Sequence, residues 1–315
     1  MQSHSVINAP SKRKKLMTEI WKNREIYLLI IPAVIWYIVM CYFPMGGLSL
    51  AFKSYKGKLG IWGSPWIGLK NFQSVFKSPM FSDAFWMTIW INIVMLAICF
   101  PAPIILALML NELRMNRYKK ALQTIFTFPN FLSWIIISSI IKNLLSSDGA
   151  LNGFLATLGM GPVSILGEKE LFRPLIYFTS IWKSAGWSSI IYLATISGID
   201  NEMYEAALID GATKWQQTKY ITIPLLKPVI IIMFIMAVGK IFNSDFGLFY
   251  QATRNSGALV DITQTIDVYV YKALLERPNI NMSSASSLLQ SVCGCITIVA
   301  ANLVVKKIDP DAGMF

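Results

Sequence analysis

Apolar residues run in six long blocks, near Ile26 to Leu50, Trp86 to Leu110, Ala121 to Leu145, Leu175 to Ser197, Pro228 to Tyr250 and Ala285 to Val305. A helix needs about 20 mostly apolar residues to cross a hydrocarbon core of roughly 30 Å, so every block is long enough to span a bilayer. Three of them contain no Asp, Glu, Lys or Arg. Backbone amides left unpaired in lipid are costly, which restricts such runs to helices. The pattern therefore predicts an all-α integral membrane protein of six transmembrane helices, with kinks at prolines such as Pro32, Pro101, Pro103 and Pro129. Residues 26–305 are read as the membrane body, 1–25 as a basic tail and 306–315 as a second tail. Internal repeats and interrupted half-helices, the marks of secondary transporters, are not visible in the pattern.

The distribution of charge orients the bundle. Fifteen Lys and Arg fall on the side of both termini and ten on the other, counted over the connections alone, so both termini are predicted to be cytoplasmic. The segment SKRKKLMTEIWKNRE before the first block is followed by a run too long for a signal peptide and without a small-residue cleavage site, and reads as a retained tail. A net charge of +11 would suggest nucleic-acid binding if it lay on one polar face, but the basic residues are scattered between apolar runs. The four cysteines all lie inside apolar stretches, where neither a disulfide framework nor a zinc site is expected. The sole histidine, His4, sits in the polar tail. Without it, and without convergent Ser/His, Asp pairs or metal ligands inside spans, no catalytic site is expected.

One connection looks built for a purpose. Between the fourth and fifth blocks, Asp200 can cap a helix whose first turns carry Glu202 and Glu205, acids suited to the positive end of the dipole. Gly211 supplies the turn that ends it, and Thr213 with Gln216 forms a capping-box pair for a second helix. Both helices are expected at the membrane face. Ala206, Ala207, Gly211 and Ala212 leave room for close approach by another surface.

The spacing from Glu205-Ala206-Ala207 through Gly211 to Ile221, Ile223 and Pro224 resembles the cytoplasmic loop motif of binding-protein-dependent ABC importer permeases, with Ile223 where the family usually has Leu. Further stretches, Phe128 to Trp134, Ile181 to Trp187, Asp267 to Tyr271 and Gln290-Ser291, resemble the oligosaccharide branch of the carbohydrate, maltose-type permeases. The resemblance implies a type I importer fold in a bacterial plasma membrane, with a coupling loop over residues 198–224. In it, Tyr204, Glu205, Ala206, Ala207, Asp210, Gly211 and Pro224 would meet an ATPase subunit. It also implies a second, homologous permease chain, an ATPase dimer and an extracytoplasmic solute-binding protein. The two Gly-Lys pairs are followed by Leu59 and Ile241, so this chain has no phosphate cradle of its own. ATP and Mg are therefore expected on the partner ATPase, with no cofactor here. An ion-coupled secondary transporter or channel is the competing reading; it leaves the loop unexplained.

Charged residues inside spans are expensive and mark candidate pathways. Lys183 and Trp187 are four apart, and Lys240 and Asn243 three apart, so each pair shares a helix face. These four are the candidate sugar-pathway residues, since sugars are held by aromatic stacking and polar hydrogen bonds. The lysines have a structural alternative, in which Lys183 snorkels and Lys240 pairs with Asp245. Trp21, Trp62, Trp66 and Trp86 fit an interfacial belt, whereas Trp134 and Trp187 are expected inside. The outer segments Phe52 to Phe85 and Gln251 to Ser284 are long enough to dock the solute-binding protein.

Overall fold

A computed structural model describes residues 19, 21–113, 115–252, 257–309 and 313. The tail to residue 18 with His4, the stretch 253–256 and most of the chain after 309 lie outside them. Among the described residues the secondary structure is helical, apart from one isolated bridge between Lys53 and Trp66.

Among the described residues, four helices are long and apolar enough to cross a membrane: Arg24–Phe52, Pro79–Asn111, Lys214–Gly239 and Ile280–Ile308. A fifth is reached if the pair Asn116–Phe131 and Trp134–Thr157, bent by 99°, counts as one span. The expected six are thus not all recovered by length and apolarity. The fourth block forms a helix of 29 residues, Lys169–Ser197, but its serines and charges keep it below that apolarity.

Two expected boundaries are corrected. The run expected as one span from Ala121 to Leu145 is broken where Phe128–Phe131 tightens into a 3-10 turn and Leu132 becomes extended. Pro129 lies in that turn, and the Ser133 hydroxyl accepts the Ile136 N–H to start the next helix. The run expected from Pro228 to Tyr250 begins instead at Lys214 and stops at Gly239, with a π turn over Gly247–Ala252 beyond a non-helical gap. An interrupted helix is therefore present where none was visible. Near its start, a π turn over Thr218–Thr222 precedes Pro224, which has no N–H to continue the regular ladder.

Packing is concentrated in three clusters. One, around Ala107, Leu110, Tyr192, Ile196 and Leu226, lies at the end of the bundle that carries the Asn201–Ile209 helix. The others join the Pro79–Cys99 helix to the segments beyond residue 247, through Ile91, Phe172 and Phe249 in one and Phe81, Ile266 and Ala285 in the other. The Arg24–Tyr37 helix buries none of its residues against the rest of the chain. Only its 3-10 continuation is anchored, where buried Asn71 donates to the carbonyls of Ala51 and Lys53 at 2.9 Å.

Candidate functional site

The loop forms the local structure expected of it. Asp200 accepts the Glu202 N–H at 3.0 Å and opens the Asn201–Ile209 helix. Gly211 ends it at φ +78°, a left-handed conformation that a side chain resists. Thr213 and Gln216 form a reciprocal capping box. The helix this starts does not lie separately at the membrane face; it runs through the π turn directly into the span ending at Gly239.

Two faces of the short helix differ. Glu205, Ala206 and Asp210 are exposed, with Gly211 beside them, while Tyr204 and Ala207 turn inward. The Tyr204 hydroxyl lies 2.9 Å from the Thr222 hydroxyl, and buried Gln217 reaches the Tyr204 carbonyl at 3.5 Å. The helix is thereby fastened to the base of the span, and Pro224 lies exposed two residues beyond Thr222. Leu208 and Ile209 are 63% and 87% exposed, an apolar tip that the acid-and-alanine pattern did not single out.

The four pathway candidates separate into two pairs. Lys240 and Asn243 line a cavity of about 420 Å³ together with Asn92, Cys99, Asp245 and the serine row Ser180, Ser184 and Ser188. The serines recur every four residues and so share one face of the Lys169–Ser197 helix. Lys240 is exposed, and no ion pair joins it to Asp245, whose Oδ2 instead accepts the Trp134 indole N–H at 2.9 Å.

Lys183 and Trp187 are not in that lining. The Lys183 ammonium donates to the carbonyls of Asn130 at 3.0 Å and Leu132 at 2.6 Å, with Pro129 at 3.5 Å, and lies 5.3 Å from the centre of the Trp134 ring. Trp187 meets Phe131 edge-on at 5.8 Å. The stretches 128–134 and 181–187 are thus two halves of one joint, in which a lysine satisfies the carbonyls freed by the break at Pro129. Sequence spacing placed Lys183 beside Trp187 correctly but could not show what faces them.

The sequence reading also missed Asn92, whose amide reaches the carbonyls of Ile241 and Asn243 at 2.8 and 3.0 Å. A signal existed: it is an amide inside an otherwise uncharged apolar run.

The family of binding-protein-dependent transport system inner membrane components matches residues 99–310. A polygalacturonan/rhamnogalacturonan transport system permease protein of Bacillus subtilis is 38% identical over 304 residues, which cover 96% of this chain and 94% of that protein. A crystal structure of a bacterial ABC transporter involved in the import of the acidic polysaccharide alginate superposes with a TM-score of 0.84 at 32% identity, over 94% of this chain and 99% of that one. The same transporter type in complex with an alginate pentasaccharide-bound periplasmic protein gives 0.83 at 32% identity, over 93% and 98%. With its apolar spans, its capped loop and this extent of similarity, the chain belongs to the binding-protein-dependent transport system inner membrane components, and is a multi-pass permease of the ABC transporter class.

Proposed function

We propose that the chain is the permease subunit of an ATP-driven importer that takes up acidic oligosaccharides delivered by an extracytoplasmic solute-binding protein. The observation that carries this is the cavity at the interrupted span, where Lys240 has no carboxylate partner among the described residues and stands beside Asn243 and a row of hydroxyls. A cation with hydrogen-bonding neighbours suits a uronate-bearing chain, and two of the similar proteins are named for transport of polygalacturonan/rhamnogalacturonan and import of alginate. The interruption alone would also suit an ion-coupled transporter. The fastened loop and the family favour the importer.

In this reading residues 26–305 form six spans, with Lys169–Ser197 and the bent pair each crossing once. Residues 1–25 and 306–315 are cytoplasmic tails in a bacterial plasma membrane. A second, homologous permease completes the pathway. A dimer of ATPase subunits binds ATP and Mg and receives the coupling loop 198–224, and the outer segments receive the binding protein.

Lys240→Met tests the pathway. Uptake of a labelled oligogalacturonide should fall about tenfold, the scale set by loss of a charge-assisted hydrogen bond, while the amount of chain in the membrane stays at wild-type level. Unchanged uptake kinetics would remove Lys240 from the pathway.

The loop has its own test. A Cβ at Gly211 would meet nothing within 4 Å, so the first cost of Gly211→Val is its φ of +78°, roughly 1–2 kcal/mol for an L residue. That is enough to shift a docking surface while leaving the bundle folded. Gly211→Val and Glu205→Lys should retain ATP hydrolysis by the assembled complex but lose its stimulation by loaded binding protein. Full stimulation in both would exclude the loop as the coupling element.

A further inference from the structure

The gap after Gly239 is held, not frayed. The carbonyls of Ile241, Phe242 and Asn243 and the N–H of Ser244 all meet side chains from other elements. Asn92 donates to the carbonyls of Ile241 and Asn243, and Gln290 donates to that of Phe242 at 2.9 Å. The Ser244 N–H donates to Oδ2 of Asp267 at 2.6 Å. The Ser244 hydroxyl lies 2.8 Å from the same oxygen and 2.6 Å from the Thr265 hydroxyl.

Asp267 is the hinge pin of this arrangement, because its second oxygen accepts from Gln290 at 3.0 Å while the first holds Ser244. It stands in the first turn of the Ile266–Leu275 helix, which is itself tied down where Ile266 donates to the buried Thr88 hydroxyl at 2.8 Å. Thr88 and Asn92 are one turn apart on the Pro79–Cys99 helix. Three helices therefore converge on the four residues 241–244 of unwound backbone, and Asn243 among them and its flanking neighbours Lys240 and Asp245 line the cavity.

We propose that Asp267 is a positioning residue for transport, whose carboxylate fixes the unwound backbone of residues 241–244 so that Lys240 and Asn243 face the sugar path. The inference rests on the pathway reading above. A carboxylate is required because both oxygens accept; the amide of Asn would turn a donor toward either the Ser244 N–H or the Gln290 amide.

The test uses the full chain in its host membrane with its native partners, with uptake of labelled oligogalacturonide and membrane level as readouts. Asp267→Asn should lower uptake about tenfold at unchanged membrane level, the scale of hydrogen bonds to a charged group. Combined with Lys240→Met, it should add little beyond the stronger single substitution, whereas combined with Glu205→Lys the losses should multiply. A merely structural role would multiply in both. Asp267→Glu, which keeps two acceptor oxygens, should restore part of the uptake.

Wild-type uptake in Asp267→Asn, or multiplication with Lys240→Met, overturns the positioning role while leaving the pathway intact. Unchanged uptake in Lys240→Met alone is the different failure, that of the pathway reading. If Asp267→Asn does not reach the membrane, Ser244→Ala decides: it removes one hydroxyl and keeps the carboxylate. It should lower uptake several-fold and combine non-additively with Lys240→Met, and wild-type uptake there also overturns the proposal.

Discussion

Gly186→Ala should remove most of the chain from the membrane. A Cβ at this position would overlap the carbonyl oxygen and carbon of Phe126 and lie 2.7 Å from the Thr127 nitrogen. All three are backbone atoms, so no rotamer change relieves the contact. The Lys169–Ser197 helix crosses the end of Asn116–Thr127 with the two backbones touching, and only a glycine admits that approach. Overpacking a well-packed interior costs about 1–3 kcal/mol, and a forced backbone shift beside the Lys183 joint belongs at or above the top of that range. Against a total stability of roughly 5–15 kcal/mol, such a loss is large. Immunoblotting of membranes and the thermal aggregation midpoint in detergent read it directly. Gly153→Ala is the control, since a Cβ there meets nothing within 4 Å and alanine favours its helix. Equal levels of the two variants would mean that the helices do not meet so closely.

Lys183→Met should produce a stability defect where Lys240→Met produces a transport defect. Methionine keeps the length and shape of the stem but removes the ammonium that serves Asn130, Leu132 and, more weakly, Pro129. The carbonyls of Asn130 and Leu132 lie where the chain turns by 99° between Phe131 and Trp134, while that of Pro129 also accepts the Leu132 N–H at 3.1 Å. Losing hydrogen bonds to a charged group costs about 1.5–3 kcal/mol for each well-made bond, and groups left unsatisfied away from water raise that further. The joint also seats Trp134, whose indole holds Asp245. We expect the membrane level of Lys183→Met to fall at least several-fold, and whatever chain remains to take up sugar with an unchanged KM. A normal level with a raised KM would instead place Lys183 on the pathway, as its helix spacing first suggested.

The loop was legible in the sequence almost residue by residue. Asp200, Gly211 and the Thr213 and Gln216 pair act over two to five residues, so their hydrogen bonds are written into local order. What could not be read there was that Tyr204 is fastened to Thr222 and that the second helix continues into a span. The apolar tip at Leu208 and Ile209 was masked for the same reason, since an apolar residue in an amphipathic helix is ordinarily assigned to the buried side.

The span boundaries were legible only where apolar residues and helix end together. At the third block Pro129 was seen, but a kink was expected and a 99° break resulted, because the break is sustained by Lys183 from another helix. At the fifth block Gly239, Asn243, Ser244, Asp245 and Gly247 are turn formers, but the apolar Ile241, Phe242 and Phe246 among them hide the break from Lys240 to Asp245. Asn92 and Gln290 are amides in apolar runs, and the backbone positions they serve in the gap are 48 to 151 residues away.

The sequence by itself determined that this is a helical membrane protein, where its basic residues concentrate, and the caps of its loop, because burial in lipid and local hydrogen bonding depend only on composition and near neighbours. The tertiary structure alone decided which of the two lysines, Lys183 or Lys240, closes a joint and which faces a cavity. Lys183 is satisfied by carbonyls 51 to 54 residues earlier in the chain, and Trp134 and Asp245 meet across 111 residues. Such pairings follow from how the helices pack, since a freed backbone group or an unpaired charge in lipid takes whichever partner the fold brings within reach.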